Sequence, residues 1–173
     1  IPLGEYLLAQ ACRQRRIWLD QGLTEFPVSV NVSPLQFRDD NFDQRVANVL
    51  LETRLPARLL DLELTESAVM HRGEETVQML ERLKALGVTL SIDDFGTGYS
   101  SLGYLKSFPI DRLKIDRSFV RDVLEDANDV AIVRAIVALG HTLELRVIAE
   151  GVETAEQCAL LRNTGCDECQ GFL

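Results

Sequence analysis

The sequence has few features that would direct it to a membrane or to a zinc site. Its apolar runs are too short to span a bilayer, and no segment resembles a signal peptide. It has only 2 histidines, His71 and His141, beside 4 cysteines, so Cys166-x-x-Cys169 lacks the second pair of ligands that a zinc site requires. We interpret the cysteines as reduced, small, half-buried residues rather than as a redox or zinc motif.

Basic residues are also scarce. The chain has 18 Lys and Arg against 27 Asp and Glu, a net charge of −9, which disfavours DNA or RNA as a partner because an acidic surface repels a phosphate backbone. A small phosphorylated ligand stays compatible with this charge if bound metal ions reverse the local field. At 173 residues and 46% apolar composition, the chain is long enough for one globular domain with a sizeable core.

The hydrophobic pattern alternates between short strands and amphipathic helices. Gly87 and Gly165 lie where helices end, and Thr154 precedes a helix as an N-cap. Such alternation indicates a parallel sheet covered by helices. The predicted strands are 27–32, 60–64, 88–92, 113–115, 146–149 and 168–173, and the predicted helices are 3–20, 42–53, 74–86, a short one near 100–107, 129–144 and 154–163.

Two α/β architectures fit this alternation, an open doubly wound sheet and a (β/α)8 barrel of the TIM type. No glycine-rich dinucleotide loop supports the open sheet. Polar residues instead follow nearly every strand, and a site built from many strand ends is typical of the barrel. Six strands do not close such a barrel, so we expect about two further strands before residue 1. We accordingly expect residues 1–173 to be one domain that is truncated at its N-terminus and just before its C-terminal end. The strand-end residues are Asn31, Glu63, Asp93, Asp94, Lys114, Asp116, Glu150, Glu153 and Gln170.

The oxygen-rich side chains among these residues predict a divalent-cation site. Alternate residues of a strand share a face, so the polar residues would meet at one mouth of the barrel, and oxygen ligands suit Mg²⁺ or Mn²⁺. This set fits two-metal phosphoester hydrolysis, with Asp93 as the shared ligand and Glu150 as the general base. Lys114 would contact a phosphate oxygen or the attacking water. The expected ligand set is Asn31, Glu63, Asp93, Asp94, Asp116 and Glu150.

Simpler interpretations of the single residues remain open. A carboxylate after a strand is often only a loop residue or a helix cap, and Glu153 is compatible with a surface position beside Thr154. Asp94-Phe95-Gly96 matches the metal motif of protein kinases, but no His-Arg-Asp loop accompanies it. The repetition over six strands favours a shared site over these alternatives.

Six motifs in order make the chain similar to the EAL domain family of bacterial phosphodiesterases, which hydrolyse cyclic di-GMP to linear pGpG. The resemblance covers essentially the whole chain. It implies a (β/α)8 barrel in which one strand is antiparallel. The matching motifs are Val30-Asn31-Val32-Ser33, Glu63-Leu64-Thr65-Glu66-Ser67, Asp93-Asp94-Phe95-Gly96-Thr97-Gly98-Tyr99-Ser100-Ser101-Leu102, Leu113-Lys114-Ile115-Asp116, Ala149-Glu150-Gly151-Val152-Glu153-Thr154 and Gln170-Gly171-Phe172.

The resemblance also implies roles for individual residues. Lys114 is implied as a catalytic or water-positioning lysine, and Glu150 as general base or metal ligand. Glu153 and Gln170 are implied as supporting, substrate-binding residues. Glu66 would brace the loop after Asp94, which couples metal binding to dimerisation in the family, so a homodimer is expected. The implied metal ligands are Asn31, Glu63, Asp93, Asp94 and Asp116.

One departure and two alternatives accompany the resemblance. The Glu-Ala-Leu motif itself, with a metal-ligating Glu, is absent and expected on a strand before residue 1. A catalytically silent domain that senses cyclic di-GMP is the first alternative, and a pure interaction domain is the second. The retained ligands favour the enzyme, with fused sensory or GGDEF-type domains as partners. We expect it in the cytoplasm, including as the cytoplasmic domain of an inner-membrane signalling protein.

Overall fold

The computed structural model describes residues 2–23, 26–70, 73–98 and 102–172. Six strands form one sheet in the order β1-β2-β3-β4-β5-β6, and each neighbouring pair is parallel. The antiparallel strand that the resemblance implies is not among these six. The strands are β1 (Val28–Val32), β2 (Leu60–Thr65), β3 (Thr89–Phe95), β4 (Arg112–Ile115), β5 (Arg146–Val152) and β6 (Glu168–Gly171).

The helices lie between the strands in sequence, as the alternating pattern predicts. A single 3-10 turn at Ala57–Leu59 precedes β2. The α-helices are α1 (Pro2–Asp20), α2 (Pro34–Phe37), α3 (Phe42–Thr53), α4 (Glu66–Val69), α5 (Glu74–Ala85), α6 (Leu102–Leu105), α7 (Arg117–Arg121), α8 (Ala127–Thr142) and α9 (Ala155–Asn163). Among the residues described, none of these helices combines the length and the apolar character that crossing a membrane requires.

The core lies between the outer face of the sheet and the helices. In β2, the alternate residues Leu60, Leu62 and Leu64 are fully buried, and the facing helices contribute residues such as Leu80 and Leu83 of α5. Burial of each such side chain stabilises the fold by about 1.5–3 kcal/mol, before the loss of chain entropy is counted. The apolar alternation in the strands therefore fixes which face is outward, and it leaves the other face for polar residues.

The predicted helix boundaries are largely confirmed. Thr154 accepts a hydrogen bond from the Gln157 N–H in a capping box at the start of α9, and Gly87 and Gly165 have left-handed φ values of 89° and 95° just after helices. The short helix predicted near 100–107 is α6, and residues 99–101 lie outside the described residues. The helix predicted at 129–144 begins and ends two residues earlier, as α8.

Three short helices were not predicted. Each begins at the C-terminal end of a strand, where Ser33, Thr65 and Asp116 are the N-caps of α2, α4 and α7. Helices of four or five residues are too short to show a 3.6-residue period, so the hydrophobic pattern does not reveal them. They turn the chain sharply at the edge of the sheet where the polar residues lie.

The sheet is curved, with its polar face on the inside. Residues from its two edge regions, Ser29 on β1 and Gln170 on β6, line one cleft of about 440 Å³ together with Asp61, Arg112 and Ile148 from the strands between them. Edge strands of a flat six-stranded sheet would lie too far apart to border a common cleft. The described strands therefore form a half-barrel whose interior is polar.

The cysteines are free thiols, and they lie mainly against the core. Cys12 and Cys166 are buried, and burial raises the pKa of the Cys12 thiol to about 11 and that of the Cys166 thiol to about 12. Cys166 Sγ lies 3.3 Å from the carbonyl oxygens of both Val147 and Glu168. Its thiol is therefore a donor to the ends of β5 and β6, which agrees with a packing role.

Candidate active site

A single buried lysine lies at the centre of the predicted site. Lys114 Nζ on β4 is 2.8 Å from Glu63 Oε1 on β2 and 3.5 Å from Asp93 Oδ1 on β3, and it also contacts Glu150 Oε1 on β5. Lys114 is only 2% exposed. The ends of four neighbouring strands thus bring four of the predicted residues into direct contact, as parallel strands allow.

The acidic residues outnumber this lysine. Ligand oxygens of Asp93, Asp94 and Glu150 all lie within 4.8 Å of one another. Asp94 has a left-handed φ of 55°, where the β3–β4 register shifts between Ile92 and Phe95. This bulge lets two consecutive residues serve the same site, although adjacent side chains of a regular strand point to opposite faces.

Burial and neighbouring charges shift the pKa values of the site residues. Burial raises the pKa of Asp94, and the charges of Asp93 and Asp116 raise it further. Burial likewise raises the pKa of Glu150, although its hydrogen bond to Lys114 opposes this effect. Burial alone would lower the pKa of Lys114, but hydrogen bonds to Glu150 and Glu63 raise it above its usual value. Lys114 therefore remains a cation, and the carboxylates around it carry excess negative charge.

Asp116 and Asn31 lie at the borders of this cluster. The side chain of Asp116 accepts a hydrogen bond from the Ser118 N–H at 2.9 Å, and its carboxylate is close enough to Asp94 to raise the pKa of Asp94. Burial would raise the pKa of Asp116, but its bonds to Ser118 lower it below its usual range. Asn31 is exposed on β1 and lies opposite Glu63 in the parallel register. Both residues are therefore on the strand ends that carry the cluster.

Glu66 contacts the loop that follows β3. Its carboxylate is 2% exposed and accepts a hydrogen bond from the Gly96 N–H at 2.9 Å. A Cβ at Gly98 would lie 2.7 Å from Glu66 Oε1, so the loop approaches this carboxylate more closely than any other residue type would allow at that position. Tyr99, Ser100 and Ser101, also part of the predicted loop, lie outside the described residues. Glu66 thus contacts the loop on the side of the Gly96 N–H and close to Gly98.

Glu153 and Gln170 lie beside the cluster rather than within it. Glu153 is exposed and borders a cavity of about 600 Å³ with Asp116 and Arg117. Gln170 lies opposite Glu150 in the β5–β6 register and lines the interior cleft. Their positions suit contact with a bound ligand, and their predicted substrate-binding roles remain predictions.

The sequence analysis did not single out a second polar layer beneath the site. Asp61 is buried on β2 and pairs with Arg112 on β4, Nη1 to Oδ2 3.2 Å. The signal was present in the order Leu60-Asp61-Leu62-Glu63-Leu64, since Asp61 shares a face with Glu63. A carboxylate on the inner face of a buried strand needs a partner, and the partner of Asp61 is Arg112.

The residues present fit a divalent cation. One lysine compensates one charge among the clustered carboxylates. The pKa of Asp94 is raised first by burial and then by the charges of Asp93 and Asp116, and a bound cation would oppose both effects. The available donors are carboxylate oxygens, which magnesium, calcium and manganese prefer. The acidic cluster can therefore hold a metal ion.

Comparison with known proteins gives matches over the whole chain. A family model described as the EAL domain matches residues 1–173. The bifunctional diguanylate cyclase/cyclic di-GMP phosphodiesterase MucR of Pseudomonas aeruginosa is 50% identical over 173 residues, covering 100% of this chain and 25% of MucR. The cyclic di-GMP phosphodiesterase NbdA of the same organism is 44% identical over 171 residues, covering 99% of this chain and 22% of NbdA. The chain thus spans about a quarter of the length of these relatives.

Solved structures match equally well. The PaMucR phosphodiesterase in complex with c-di-GMP superimposes with a TM-score of 0.96 at 50% identity, covering 99% of this chain and 70% of that chain. The manganese/cy-diGMP complex of Klebsiella pneumoniae BlrP1 gives a TM-score of 0.83 at 29% identity, covering 97% of this chain and 43% of that chain. These matches confirm the predicted barrel architecture, of which the described residues supply six strands.

Proposed function

This chain belongs to the EAL domain family, and we propose on that basis that its strand-end site hydrolyses cyclic di-GMP to linear pGpG with the help of divalent cations. The observation that supports the proposal most directly is the contact of Lys114 with three carboxylates from three other strands. Burying several charged groups costs desolvation free energy, and their mutual attraction often does not offset that cost. The cluster is therefore better explained by a functional role than by a gain in stability. The names of the relatives supply the substrate.

We propose Mg²⁺ or Mn²⁺ in a two-metal site, held by Asn31, Glu63, Asp93, Asp94 and Asp116. When bound, the cations would polarise the scissile phosphate and make a water molecule nucleophilic near neutral pH. Asp93 is the proposed shared ligand because it lies at the centre of the cluster, 3.5 Å from Lys114 and beside Asp94.

The remaining residues handle the proton and the substrate. Glu150 is the proposed general base, since it is half-buried, borders the acidic cluster and is held by Lys114. Lys114 keeps Glu150 in place and offers a hydrogen-bond donor to a phosphate oxygen or to the attacking water. Glu153 and Gln170 are proposed contacts of the substrate, and Glu66 is proposed to position the loop through the Gly96 N–H.

Partners and location extend the proposal. We propose a homodimer formed through this domain, fused sensory or GGDEF-type domains in the same protein, and a cytoplasmic site of action. The support for fused domains is that the chain covers only 25% of MucR, whose name includes a second activity. Sedimentation of the purified protein with and without Mn²⁺ tests the dimer, and a sedimentation coefficient of a monomer under both conditions would contradict it.

Chromatography of cyclic di-GMP incubated with the protein tests the activity. We expect pGpG to accumulate with Mg²⁺ or Mn²⁺ and not with EDTA. Binding of cyclic di-GMP without turnover would instead support a silent sensor domain. Absence of both binding and turnover would contradict both readings of the site.

Replacement of Asp93 by asparagine is expected to weaken metal binding. Asparagine keeps the size of the side chain but removes the negative charge at the centre of the cluster. Since even the outer partners of metal ligands change affinity by about 10–100-fold, we expect Mn²⁺ to bind at least about tenfold more weakly by titration calorimetry. Asp167→Asn is the matched control. Asp93 accepts the Asp94 N–H at 3.0 Å, and Asp167 likewise accepts a backbone N–H, from Val147 at 2.8 Å, but it lies beside the N-terminal end of β5, whereas Glu150 of the cluster lies near the C-terminal end of β5. An unchanged Mn²⁺ affinity in Asp93→Asn would refute the assignment.

Replacement of Glu66 by alanine is expected to release the loop after β3. The variant loses the acceptor of the Gly96 N–H, and hydrogen exchange over residues 96–98 should become faster. We expect turnover to fall by about tenfold or more, since misplacing a positioning loop commonly has effects of that order. Glu74→Ala, on the exposed first turn of α5, is the control for removing a glutamate. Equal exchange and equal turnover in both variants would count against the positioning role.

A further inference from the structure

A second polar cluster, centred on the buried Asp61, lies inside the half-barrel, one layer below the site. Asp61 is 1% exposed and accepts hydrogen bonds from Ser29, Oγ to Oδ2 3.1 Å, and from Ser91, Oγ to Oδ1 2.8 Å. Arg112 completes the cluster with Nη1 3.2 Å from Asp61 Oδ2. These four residues, here named the Asp61 network, come from four neighbouring strands, β1 to β4.

The network has a fixed spacing from the site. Every member lies two residues before a predicted site residue on the same strand, and residues at this spacing share a face. The pairs are Ser29 and Asn31, Asp61 and Glu63, Ser91 and Asp93, and Arg112 and Lys114. The position of each network residue along its strand therefore also determines the position of the site residue that follows it by two.

The network penalises any other strand register. A slip of β2 by one residue would turn Asp61 toward the apolar layer that contains Leu60 and Leu62, where a carboxylate has no partner. A slip by two residues would separate Asp61 from Ser91 and Arg112 together. The alternation of apolar residues disfavours a register shift by an odd number of residues, because such a shift exchanges the two faces of the strand. It does not disfavour a shift by an even number, and the Asp61 network does.

The network is also close to electrically neutral. The charge of Arg112 is compensated by Asp61, so the layer adds little to the field at Lys114 directly above. Without the Asp61 carboxylate, the Arg112 guanidinium would be an uncompensated cation two residues from Lys114. Such a charge would compete with a divalent cation for the carboxylates of the site.

We propose that Asp61 is a positioning residue, whose hydrogen bonds hold β1 to β4 in the register that brings Glu63, Asp93 and Lys114 together. The inference deepens the proposed function and rests on it, because it assigns this layer a purpose in building the metal site. The residues of the Asp61 network contact neither the substrate nor the metal in this proposal. The expected effect of losing Asp61 is therefore a change in the chemical labelling of Lys114 in the metal-free protein.

Lysine acetylation followed by peptide mass spectrometry reads out this change. In the metal-free protein carrying this domain, we expect Asp61→Asn to raise the labelling of Lys114 by acetic anhydride about tenfold, since a displaced and less strongly paired ammonium loses its protection. Labelling of Lys84 should stay unchanged. Lys84 pairs with Asp111 at 2.8 Å on the outer side of the sheet, so it reports general loosening but not the inner face.

Asp111→Asn is the reciprocal control. Asp111 also accepts a hydrogen bond from a backbone N–H of β3, that of Leu90, at 2.8 Å. Loss of the Asp111 carboxylate therefore disturbs the sheet to a comparable extent. It should raise the labelling of Lys84 and leave Lys114 protected. Asp61→Glu keeps the carboxylate and should restore most of the protection of Lys114. If Asp61→Asn does not fold, Ser91→Ala removes one partner of the network and should show the same selectivity with a smaller increase.

Mn²⁺ titration of the same variants completes the test. We expect Asp61→Asn to bind Mn²⁺ about tenfold more weakly, and Asp111→Asn to bind it as the wild type does. A parallel rise of Lys84 and Lys114 labelling in Asp61→Asn, or no rise at Lys114, would overturn the inference. Failure of the wild type to bind Mn²⁺ would contradict the proposed metal site instead, and the labelling would still decide the role of Asp61.

Discussion

Glu150→Gln is expected to lower the turnover of cyclic di-GMP by about a thousandfold, in the range that loss of a general base produces. Glutamine keeps the length of the side chain and an oxygen that can accept the hydrogen bond from Lys114, but it cannot take up the proton of the attacking water. Because the substitution removes little surface, cyclic di-GMP should bind nearly as well as to the wild type. Chromatographic rates and calorimetric titration of the nucleotide separate the two quantities.

The result needs a control variant, and it must be distinguished from a role of Glu150 as a metal ligand. Glu168→Gln also replaces a glutamate with glutamine, on β6, where Glu168 pairs with Arg146 in an exposed position, and it should retain wild-type turnover. Glu150 also belongs to the group of carboxylates that can hold a metal. A variant that loses Mn²⁺ affinity together with turnover would identify Glu150 as a ligand, and turnover within about tenfold of wild type would exclude the general-base role.

The strands and their inner faces could be predicted because apolar residues alternate with polar residues along the strands, and each set occupies one face. Leu60, Leu62 and Leu64 are all fully buried, and Asp61 and Glu63 on the alternate positions face the interior. The same rule identified the ends of β3, β4 and β5 as the place of the site. Lys114 contacts Glu150 on the neighbouring strand β5 and Glu63 on β2, on the far side of β3, because all three side chains face the interior at the same end of the sheet.

The remaining features depend on contacts that no local pattern encodes. The left-handed conformation of Asp94, a non-glycine residue, has no signal in the sequence, yet it brings a second carboxylate into the cluster. The pairing of Asp61 with Arg112 joins residues 51 positions apart and skips a strand. Side-chain reach across the curved interior decides such pairs, and the sequence alone specifies only that both residues face inward.

The charge balance at Lys114 unites the stability and the chemistry of the site. In the absence of metal, this ammonium is the cation that contacts Glu63, Asp93 and Glu150 among the described ion pairs. Metal ions and Lys114 therefore stabilise the same carboxylates. It follows that removal of the lysine should make folding depend more strongly on the metal.

Lys114→Met is expected to destabilise the metal-free protein by about 3–5 kcal/mol, the usual cost of removing one partner from a buried ion pair. Methionine fills much of the lysine volume, so the loss reflects unpaired carboxylates rather than a cavity. Chemical unfolding in EDTA measures the loss. Lys84→Met is the control, since its pair with Asp111 is about a third exposed and should be worth about 1 kcal/mol or less.

Metal and pH should each recover stability in Lys114→Met. Mn²⁺ should raise its melting temperature more than that of the wild type, because the carboxylates have lost their internal cation. Unpaired buried carboxylates have a raised pKa in the folded state, so the folded protein binds more protons than the unfolded chain and stability increases as pH falls from about 7 to about 5. Turnover should stay at least about a hundredfold below wild type even with Mn²⁺, since Glu150 has lost the group that holds it. Equal stability of Lys114→Met and Lys84→Met in EDTA, with equal responses to Mn²⁺, would show that the lysine does not balance the charge of the site.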